Sequence, residues 1–246
     1  MIFYLGIDDT GPPGKNGTKA TALALGLHLQ ARKFVRLLHV SAHALVTAGE
    51  IPNANHTHAY CLTLEGEAQR LREIDMESRV YLMHNSAAGA NPGFALAPRD
   101  RVNERILNWG KACQMMTLER REALALARSQ GFTAAGFTGS GIGVIGALAA
   151  VGLRASVTDG WVTWLPGLPD LKGVMTFSEI LHISTFDYVK SLRGKTPEFS
   201  DRIQLGDQVM PLLYNDRTLL LLAPAPRSAD WEWAALEFQD KSRIDW

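Results

Sequence analysis

The sequence predicts an α+β protein with two domains, at residues 1–173 and 174–246. A chain of 246 residues that is 46% hydrophobic and 20% charged can bury a sizeable core. Strand-like apolar runs alternate with helix-like runs up to about residue 165. A linker rich in proline and glycine then spans 166–173, and a shorter, strand-rich pattern follows it.

The elements of the first domain follow from hydrophobic spacing. Alternation and β-branched residues predict strands, whereas apolar residues three and four positions apart predict helices. Small residues at Gly143, Gly146, Ala147 and Ala150 predict a helix that packs very close to a sheet. The predicted strands are 2–7, 35–46, 56–64, 79–83, 154–157 and 161–165. The predicted helices are 18–31, 65–77, 98–116, 117–130 and 147–151. The helices at 98–116 and 117–130 could also be one kinked helix.

The second domain is predicted to contain shorter elements. A strand is expected at 177–184 and a helix at 228–238. A hairpin is expected at 209–214 and 218–222, with its turn at Asn215-Asp216.

Composition excludes several classes of protein. A formal net charge of zero disfavours a broad basic surface for nucleic acid and leaves open only a local patch. The two cysteines, Cys61 and Cys113, predict reduced, buried thiols and exclude a cysteine zinc ribbon. No charged-then-apolar leader opens the chain and no apolar run approaches ~20 residues. We therefore expect a cytoplasmic protein without a membrane segment.

A pair of carboxylates follows the first predicted strand. Asp8 and Asp9 come directly after 2–7, and a breaker-rich loop separates them from the helix at 18–31. Open α/β architectures bind ligands at such strand ends, beside helix N-termini. Adjacent carboxylates indicate a hard cation such as Mg²⁺, which often accompanies phosphate. The alternative is that one Asp caps a turn and the other is solvated, because neighbours on a strand point to opposite faces.

The start of the helix at 18–31 offers groups that suit phosphate. The first backbone N–H groups of a helix have no partner within it. Thr18 and Thr21 add hydroxyls, and Lys15 and Lys19 add cations, although Thr18 could equally be a simple N-cap. The loop is not a P-loop, since no Gly-Lys-Ser/Thr closes it.

A second glycine-rich stretch spans 131–146. Gly141, Gly143 and Gly146 spell the dinucleotide fingerprint, but 134–138 is a poor candidate for the buried strand that a Rossmann unit requires. An anion nest at a helix N-terminus fits the same residues. The turn-rich loop at 85–93 is either a further candidate for ligand binding or only a connection.

Several histidines raise the alternative of a metal-dependent hydrolase. His56 and His58 share one strand face, and His39 and His43 are close in sequence. A zinc site would need a third ligand, such as His84 or Asp9. Surface or hydrogen-bonded histidines are the competing interpretation.

Several segments also keep a recognisable order over roughly residues 3–226. They are Gly6-Ile7-Asp8-Asp9-Thr10, Gly17 to Ala24, Ala90 to Gly93, Val144 to Gly152, Ser178 to Leu181, Leu213 to Asn215 and Ala223-Pro224. In this order they resemble the archaeal tRNA-isoleucine agmatinylcytidine synthetase family.

The resemblance implies a kinase-like ATP-binding domain with a mixed sheet at 1–173 and a ferredoxin-like domain at 174–246. It implies that ATP with Mg²⁺ phosphorylates a cytidine carbonyl of a tRNA anticodon, and that the amine of agmatine displaces the phosphate. By position, Asp8 and Asp9 would hold Mg²⁺ and act in catalysis. Thr18 and Lys19 would also act in catalysis, and Asn91 and Glu179 would contact the substrate. The residues implied to bind ATP are Thr10, Lys15, Gly17, Thr21, Gly139, Ser140, Gly141 and Gly143.

The chain also departs from this family. Full-length members continue into an OB fold and a zinc ribbon that grip tRNA, and neither is found in these 246 residues. The Asp-Ser that usually follows Asp-Asp-Thr is Gly11-Pro12. The family's autophosphorylated threonine falls on Ala20 or, without a gap, on Thr18. RNA is therefore expected only with a partner chain.

We predict an ATP- and Mg²⁺-dependent phosphotransfer enzyme that activates an oxygen of a nucleoside-like or small substrate for ligation to an agmatine-like amine. One alternative is a non-catalytic module that binds nucleotide or RNA as a partner. The other is the His/Asp metal-dependent hydrolase.

Overall fold

The computed structural model describes residues 1–12, 17–46, 57–206 and 209–236. The chain divides into two compact units, Met1–Ser156 and Val157–Trp246. This division falls ahead of the linker predicted at 166–173. The α+β class is confirmed, and the sheet ladders contain both antiparallel and parallel pairs. The assignment of kinase-like and ferredoxin-like domains stays a prediction.

Unit 1 is a sheet with helices on both faces. Its strands lie in the order β5-β4-β1-β3-β2, and each neighbouring pair is antiparallel. Its elements are β1 (Ile2–Asp8), α1 (Gly17–Ala31), β2 (Val35–Leu45), β3 (Thr57–Gly66), α2 (Leu71–Asn85), β4 (Gly93–Pro98), α3 (Glu104–Cys113), α4 (Arg120–Ser129), β5 (Thr133–Gly136) and α5 (Val144–Ala155).

The central strand β1 is covered on both faces. Residues 3–7 are buried, and alternate side chains of a strand face opposite sides of the sheet. On one side α1 packs closely against the β2 part of the sheet, since a Cβ on Gly26 would lie 2.8 Å from a methyl of Leu37. On the other side α5 rests on the strand backbone, because a Cβ on Gly6 would lie 2.0 Å from the carbonyl oxygen of Ala147. The close packing predicted from the small residues of α5 is therefore confirmed.

Two predictions for unit 1 were wrong and one strand was missed, each for a physical reason. Residues 79–83 are not a strand but part of α2, whose buried residues Ile74, Ser78 and Leu82 follow helical spacing. Residues 154–157 are not a strand, because α5 continues to Ala155. Strand β4 was not predicted at all, since it is buried on both faces and shows no alternation. The poor strand candidate at 134–138 contributes to the short edge strand β5.

The strands of unit 2 lie in the order β6-β10-β11-β12-β9-β7, with β8 parallel to β11. Its apolar core is a separate cluster that includes Val162, Ile180 and Leu222. Its elements are β6 (Trp161–Trp164), β7 (Gly173–Thr176), α6 (Phe177–Ile183), β8 (Tyr188–Ser191), β9 (Arg202–Leu205), β10 (Leu212–Tyr214), β11 (Arg217–Pro224) and β12 (Trp233–Ala235).

The predictions for unit 2 had mixed outcomes. The hairpin is confirmed as β10 and β11, and both Asn215 and Asp216 have the positive φ that a tight hairpin turn favours. The strand predicted at 177–184 is instead helix α6. The helix predicted at 228–238 is wrong for its described part, where β12 lies, and its last two residues fall outside the described ranges. Within the part of the chain that the structure describes, no helix combines the length and apolar character needed to cross a membrane.

Candidate functional site

The two aspartates meet because the chain turns at Asp9. Asp9 has a φ of 49°, in the left-handed region that Asp tolerates better than most residues. Its backbone N–H donates to Oδ1 of Asp8 at 2.7 Å. The turn ends the strand alternation that would have sent the two side chains to opposite faces.

Asp8 lies in a close-packed and largely apolar environment. A Cβ on Gly146 would lie 2.0 Å from Oδ2 of Asp8, so only glycine leaves room for this carboxyl group. Burial raises the pKa of Asp8 to about 7; the hydrogen bond from the Asp9 N–H opposes this rise, and the Asp9 charge adds to it. The pKa values of Tyr60 and Cys113 are also raised. Burial is the larger cause in both, and the charge of the nearby Asp8 adds to it. Such a carboxyl group favours a bound cation, which would stabilise its charged form.

Asn91 connects the aspartates to the glycine-rich stretch. Its Nδ2 donates to Oδ2 of Asp9 at 3.1 Å. Its Oδ1 accepts from both the backbone N–H and the hydroxyl of Ser140, each at 2.9 Å. Its carbonyl oxygen accepts from the Gly143 N–H at 3.0 Å. One asparagine thus holds the end of β1 against the loop at 137–143.

This loop, named here the glycine loop (137–143), leads directly into α5. Gly139 and Gly141 both have a φ of 60°, which favours glycine. A Cβ on Gly139 would lie 2.4 Å from Oδ1 of Asn91, so the position also needs glycine for close approach. The N–H groups of Ser140, Gly141 and Gly143 already donate within the protein, and the anion nest stays a prediction. The Rossmann interpretation fails, because β5 is a short antiparallel edge strand.

Two threonines join the end of β1 to the start of α1. The Thr10 N–H donates to Oγ1 of Thr18 at 3.2 Å. Since α1 begins at Gly17, Thr18 lies inside the first turn and is not its N-cap. The Thr10 hydroxyl is buried and has no hydrogen-bond partner among the described residues. A buried polar atom of this kind marks a place for a ligand or water.

The remaining predicted residues differ in their surroundings. The Thr21 hydroxyl donates to the Gly17 carbonyl oxygen at 3.1 Å, within the helix. Lys19 is exposed to solvent on α1. Lys15 lies outside the described residues.

Glu179 belongs to unit 2, where it caps a helix. Its carboxylate accepts from the Thr176 N–H at 2.7 Å and from the Thr176 hydroxyl at 2.8 Å. These hydrogen bonds lower the pKa of Glu179. Capping of α6 accounts for this residue, and its contact with substrate stays a prediction.

The histidines do not assemble a metal site in the described chain. His43 is buried against the Ser41 hydroxyl at 2.9 Å, and His39 is buried against Arg154 at 3.3 Å. His84 is exposed and contacts the Val80 carbonyl oxygen at 2.7 Å; His56 is outside the described ranges. Within those ranges, no group of three or more His, Cys, Asp or Glu side chains is placed to hold a metal. The hydrolase alternative therefore has no support from these residues.

The structure also brings in Arg120, which the sequence did not indicate. A Cβ on Gly141 would lie 3.4 Å from Nε of Arg120, so the guanidinium lies against the glycine loop. The capping-box pair Glu119 and Glu122 marks a helix start in the sequence, but nothing in the sequence shows which loop that start faces.

Comparison with known proteins gives a likeness of fold. No protein-family model and no curated protein matches the chain. Solved structures do match: the complex of TiaS with tRNA(Ile2), AMPCPP and agmatine, and the complex of TiaS with tRNA(Ile2) and ATP, each at 21% identity and a TM-score of 0.52. A tRNA fluorescent labeling enzyme matches at 20% identity and a TM-score of 0.51. Each match covers 62% of this chain and 36% of the other.

The chain thus spans about a third of the length of the structures it matches. TiaS is a tRNAIle2 agmatidine synthetase, so the likeness expected from the motif order is confirmed at the level of the fold.

Proposed function

We propose that unit 1 binds Mg-ATP between the two aspartates and the glycine loop. The protein then transfers a phosphoryl group from ATP to an oxygen of a nucleoside-like or small substrate, and an agmatine-like amine displaces the phosphate. The observation that carries this proposal is the set of hydrogen bonds through which Asn91 joins Asp9 to Ser140. It unites an acidic element and a glycine-rich element that are far apart in the chain.

The residues present fit a magnesium ion bound together with phosphate. Asp8 and Asp9 supply carboxylate oxygens, and Mg²⁺ in nucleotide sites uses one or two carboxylates plus phosphate oxygens. The buried Thr10 hydroxyl has no protein partner in the described chain and suits an oxygen-rich ligand. The ion would supply neutralisation of phosphate charge during transfer.

The chain's own residues perform positioning. Asn91 fixes the carboxylate of Asp9 relative to the glycine loop, and Thr18 fixes the end of β1 relative to α1. Phosphoryl transfer depends mainly on such positioning and on electrostatic stabilisation. A pre-formed network of this kind supports catalysis as well as binding.

The solved structures support the choice of substrates. Their complexes contain ATP or AMPCPP, agmatine and tRNA(Ile2). ATP and an amine are accordingly the proposed substrate classes. An RNA acceptor, presented with the help of a partner chain, is part of the same proposal.

The test is calorimetric titration with Mg-ATP, followed by measurement of ADP release with agmatine and cytidine or tRNA. Asp8→Ala and Asp9→Ala should each weaken Mg-ATP binding by about tenfold or more and abolish turnover, since each removes a charged metal ligand. Asp100→Ala, which removes an exposed aspartate from a turn after β4, is the matched control.

Unchanged affinity and turnover in both site variants would show that the proposal is wrong. Tight Mg-ATP binding without turnover for any acceptor would instead favour the non-catalytic module. Ala20 favours the non-catalytic module, because it occupies one of the two positions aligned with the family's reactive threonine.

A further inference from the structure

Arg120 occupies a fixed position beside the glycine loop. It is the first residue of α4, whose start is held by the Glu119 N–H donating to the Glu122 carboxylate at 3.1 Å. Ala123 and Ala127 anchor the helix in the core of unit 1. The backbone of Arg120 is therefore well placed, while its side chain reaches solvent.

The guanidinium of Arg120 is available for a ligand. Its Nε lies 3.4 Å from where a Cβ of Gly141 would be, so no side chain separates it from the loop backbone. The neighbouring Arg121 is already paired with Glu119 at 2.6 Å. Among the described residues, no hydrogen bond or ion pair engages the Arg120 guanidinium.

The end of β5 holds the loop beside Arg120. A Cβ on Gly136 would lie 2.1 Å from the Gly141 carbonyl oxygen, so the end of β5 supports the loop directly. The Gly141 N–H donates to the Thr138 carbonyl oxygen at 3.1 Å. The loop backbone is therefore fixed where it faces the guanidinium.

The proposed site also needs a cation of its own. Asp8 and Asp9 bring negative charge, and a triphosphate brings more. The sequence offered Lys15 and Lys19 for this role. Lys15 lies outside the described residues, and Lys19 is solvent-exposed, with no hydrogen bond or ion pair to the described glycine loop. A guanidinium binds phosphate oxygens through two parallel hydrogen bonds, which a lysine cannot match.

We propose that Arg120 binds the phosphates of the nucleotide at the glycine loop and selects triphosphate over nucleoside. This inference rests on the proposed function, because it assigns a specificity residue to the same Mg-ATP site.

The experiment uses the full chain and compares Arg120→Ala, Arg120→Lys and Arg128→Ala. Arg128 is an exposed arginine at the other end of α4, so its removal controls for loss of one positive charge. Each variant is titrated with Mg-ATP, adenosine and a short RNA oligonucleotide. Thermal melting of each variant shows that it is folded.

Arg120→Ala should weaken Mg-ATP binding by about 10- to 100-fold, the usual loss for a charged hydrogen-bond pair, and leave adenosine binding unchanged. Arg120→Lys should lose less affinity for Mg-ATP, and Arg128→Ala should lose none.

Two results would overturn the assignment while leaving the proposed function intact. One is equal Mg-ATP affinity in Arg120→Ala and wild type. The other is weaker oligonucleotide binding at unchanged Mg-ATP affinity, which would assign Arg120 to an RNA phosphate. A wild-type protein that does not bind Mg-ATP would defeat the proposed function itself, and this inference with it.

Discussion

At Asp8, folding and ligand binding act in opposite directions. Burial holds its pKa at about 7, against an ordinary value of 3.8. Between these values the unfolded chain releases a proton that the folded protein keeps, so the free energy of unfolding decreases as the pH rises from about 4 to 7. Above pH 7 the folded protein carries the full cost of a buried charge.

Asp8→Asn should therefore stabilise the ligand-free protein at pH 8, by roughly 1–3 kcal/mol, while weakening Mg-ATP binding. The gain should shrink as the pH falls towards 4, because the wild-type carboxyl group is then neutral too. Chemical denaturation at pH 8 and pH 5 measures the gain in stability and its decrease at lower pH. A destabilised variant at pH 8 would contradict this account.

His39 should affect the pH dependence of stability in the opposite direction to Asp8: acidification lowers the free energy of unfolding instead of raising it. It is buried between Arg154 and His43, and burial, followed by these neighbouring charges, lowers its pKa well below the usual value. Arg154 also donates to the Thr63 hydroxyl at 3.2 Å and lies 5.1 Å above the Tyr4 ring. Below about pH 6.5 the unfolded chain takes up a proton at this histidine, whereas the folded protein keeps it neutral. The free energy of unfolding therefore decreases as the pH falls.

The test compares wild type with His39→Gln, which keeps a polar group but cannot titrate. At pH 8 the substitution should destabilise the protein by about 1 kcal/mol or more, since it disturbs a buried hydrogen bond. At pH 5 the difference should shrink, because only wild type incurs the cost of a neutral histidine. Urea denaturation across this range reads the trend, and a constant difference would refute it.

At the scale of single residues, the sequence predicted the acidic pair but not its geometry. Asp8 and Asp9 were identifiable because they end an apolar run. The left-handed turn at Asp9 places a carboxylate that accepts a hydrogen bond from Asn91, which comes from a distant loop. Arg120 carried no signal at all, since its significance comes only from which loop α4 packs beside.

Among the elements, α5 and β1 show how close backbone contact builds the site. Glycine at position 6 lets the helix rest on the strand, and glycine at 146 leaves room for the Asp8 carboxyl group. The start of α5 thereby meets the end of β1.

Gly6→Ala should destabilise the protein by about 2–4 kcal/mol, because the new Cβ would lie 2.0 Å from a backbone oxygen that cannot move alone. Gly131→Ala is the comparison: its φ is 70°, but a Cβ there meets nothing within 4 Å. That variant should lose only about 1 kcal/mol, the cost of a left-handed alanine. Thermal or urea denaturation of both variants would test this, and equal losses would argue against steric contact as the cause.

Secondary structure was predictable where the hydrophobic spacing was regular. Strand β1, helix α1 and the β10–β11 hairpin follow their patterns. Helix α6 was missed although Thr176 and Glu179 form a capping box, a signal that outweighs the β-branched residues after it. Strand β12 formed where the sequence favoured a helix, because its ladder partners β9 and β11 supply the pairing.

For the whole molecule, the described residues of the proposed nucleotide site and Glu179 belong to different units. Each unit has its own apolar core. Every described residue of the proposed Mg-ATP site belongs to Met1–Ser156. The sequence predicted two domains from composition, but the motif at Ser178 to Leu181 could not show whether its glutamate joins that site.

A fragment of residues 1–156 should therefore fold cooperatively and bind Mg-ATP as tightly as the full chain. Circular dichroism establishes folding, and calorimetry compares the affinities. A folded fragment with clearly weaker binding would bring unit 2 into the nucleotide site. In the full chain, Glu179→Gln would then show whether that carboxylate is responsible.

The two thiols have a practical consequence for following this protein in solution. Cys61 and Cys113 are both free and buried, as predicted, and burial raises the pKa of each to about 12. Maleimide dyes react with thiolates, so both native positions should resist labelling at neutral pH. Ile142→Cys, on the exposed part of the glycine loop, would then carry a single fluorophore whose emission reports nucleotide arrival in real time.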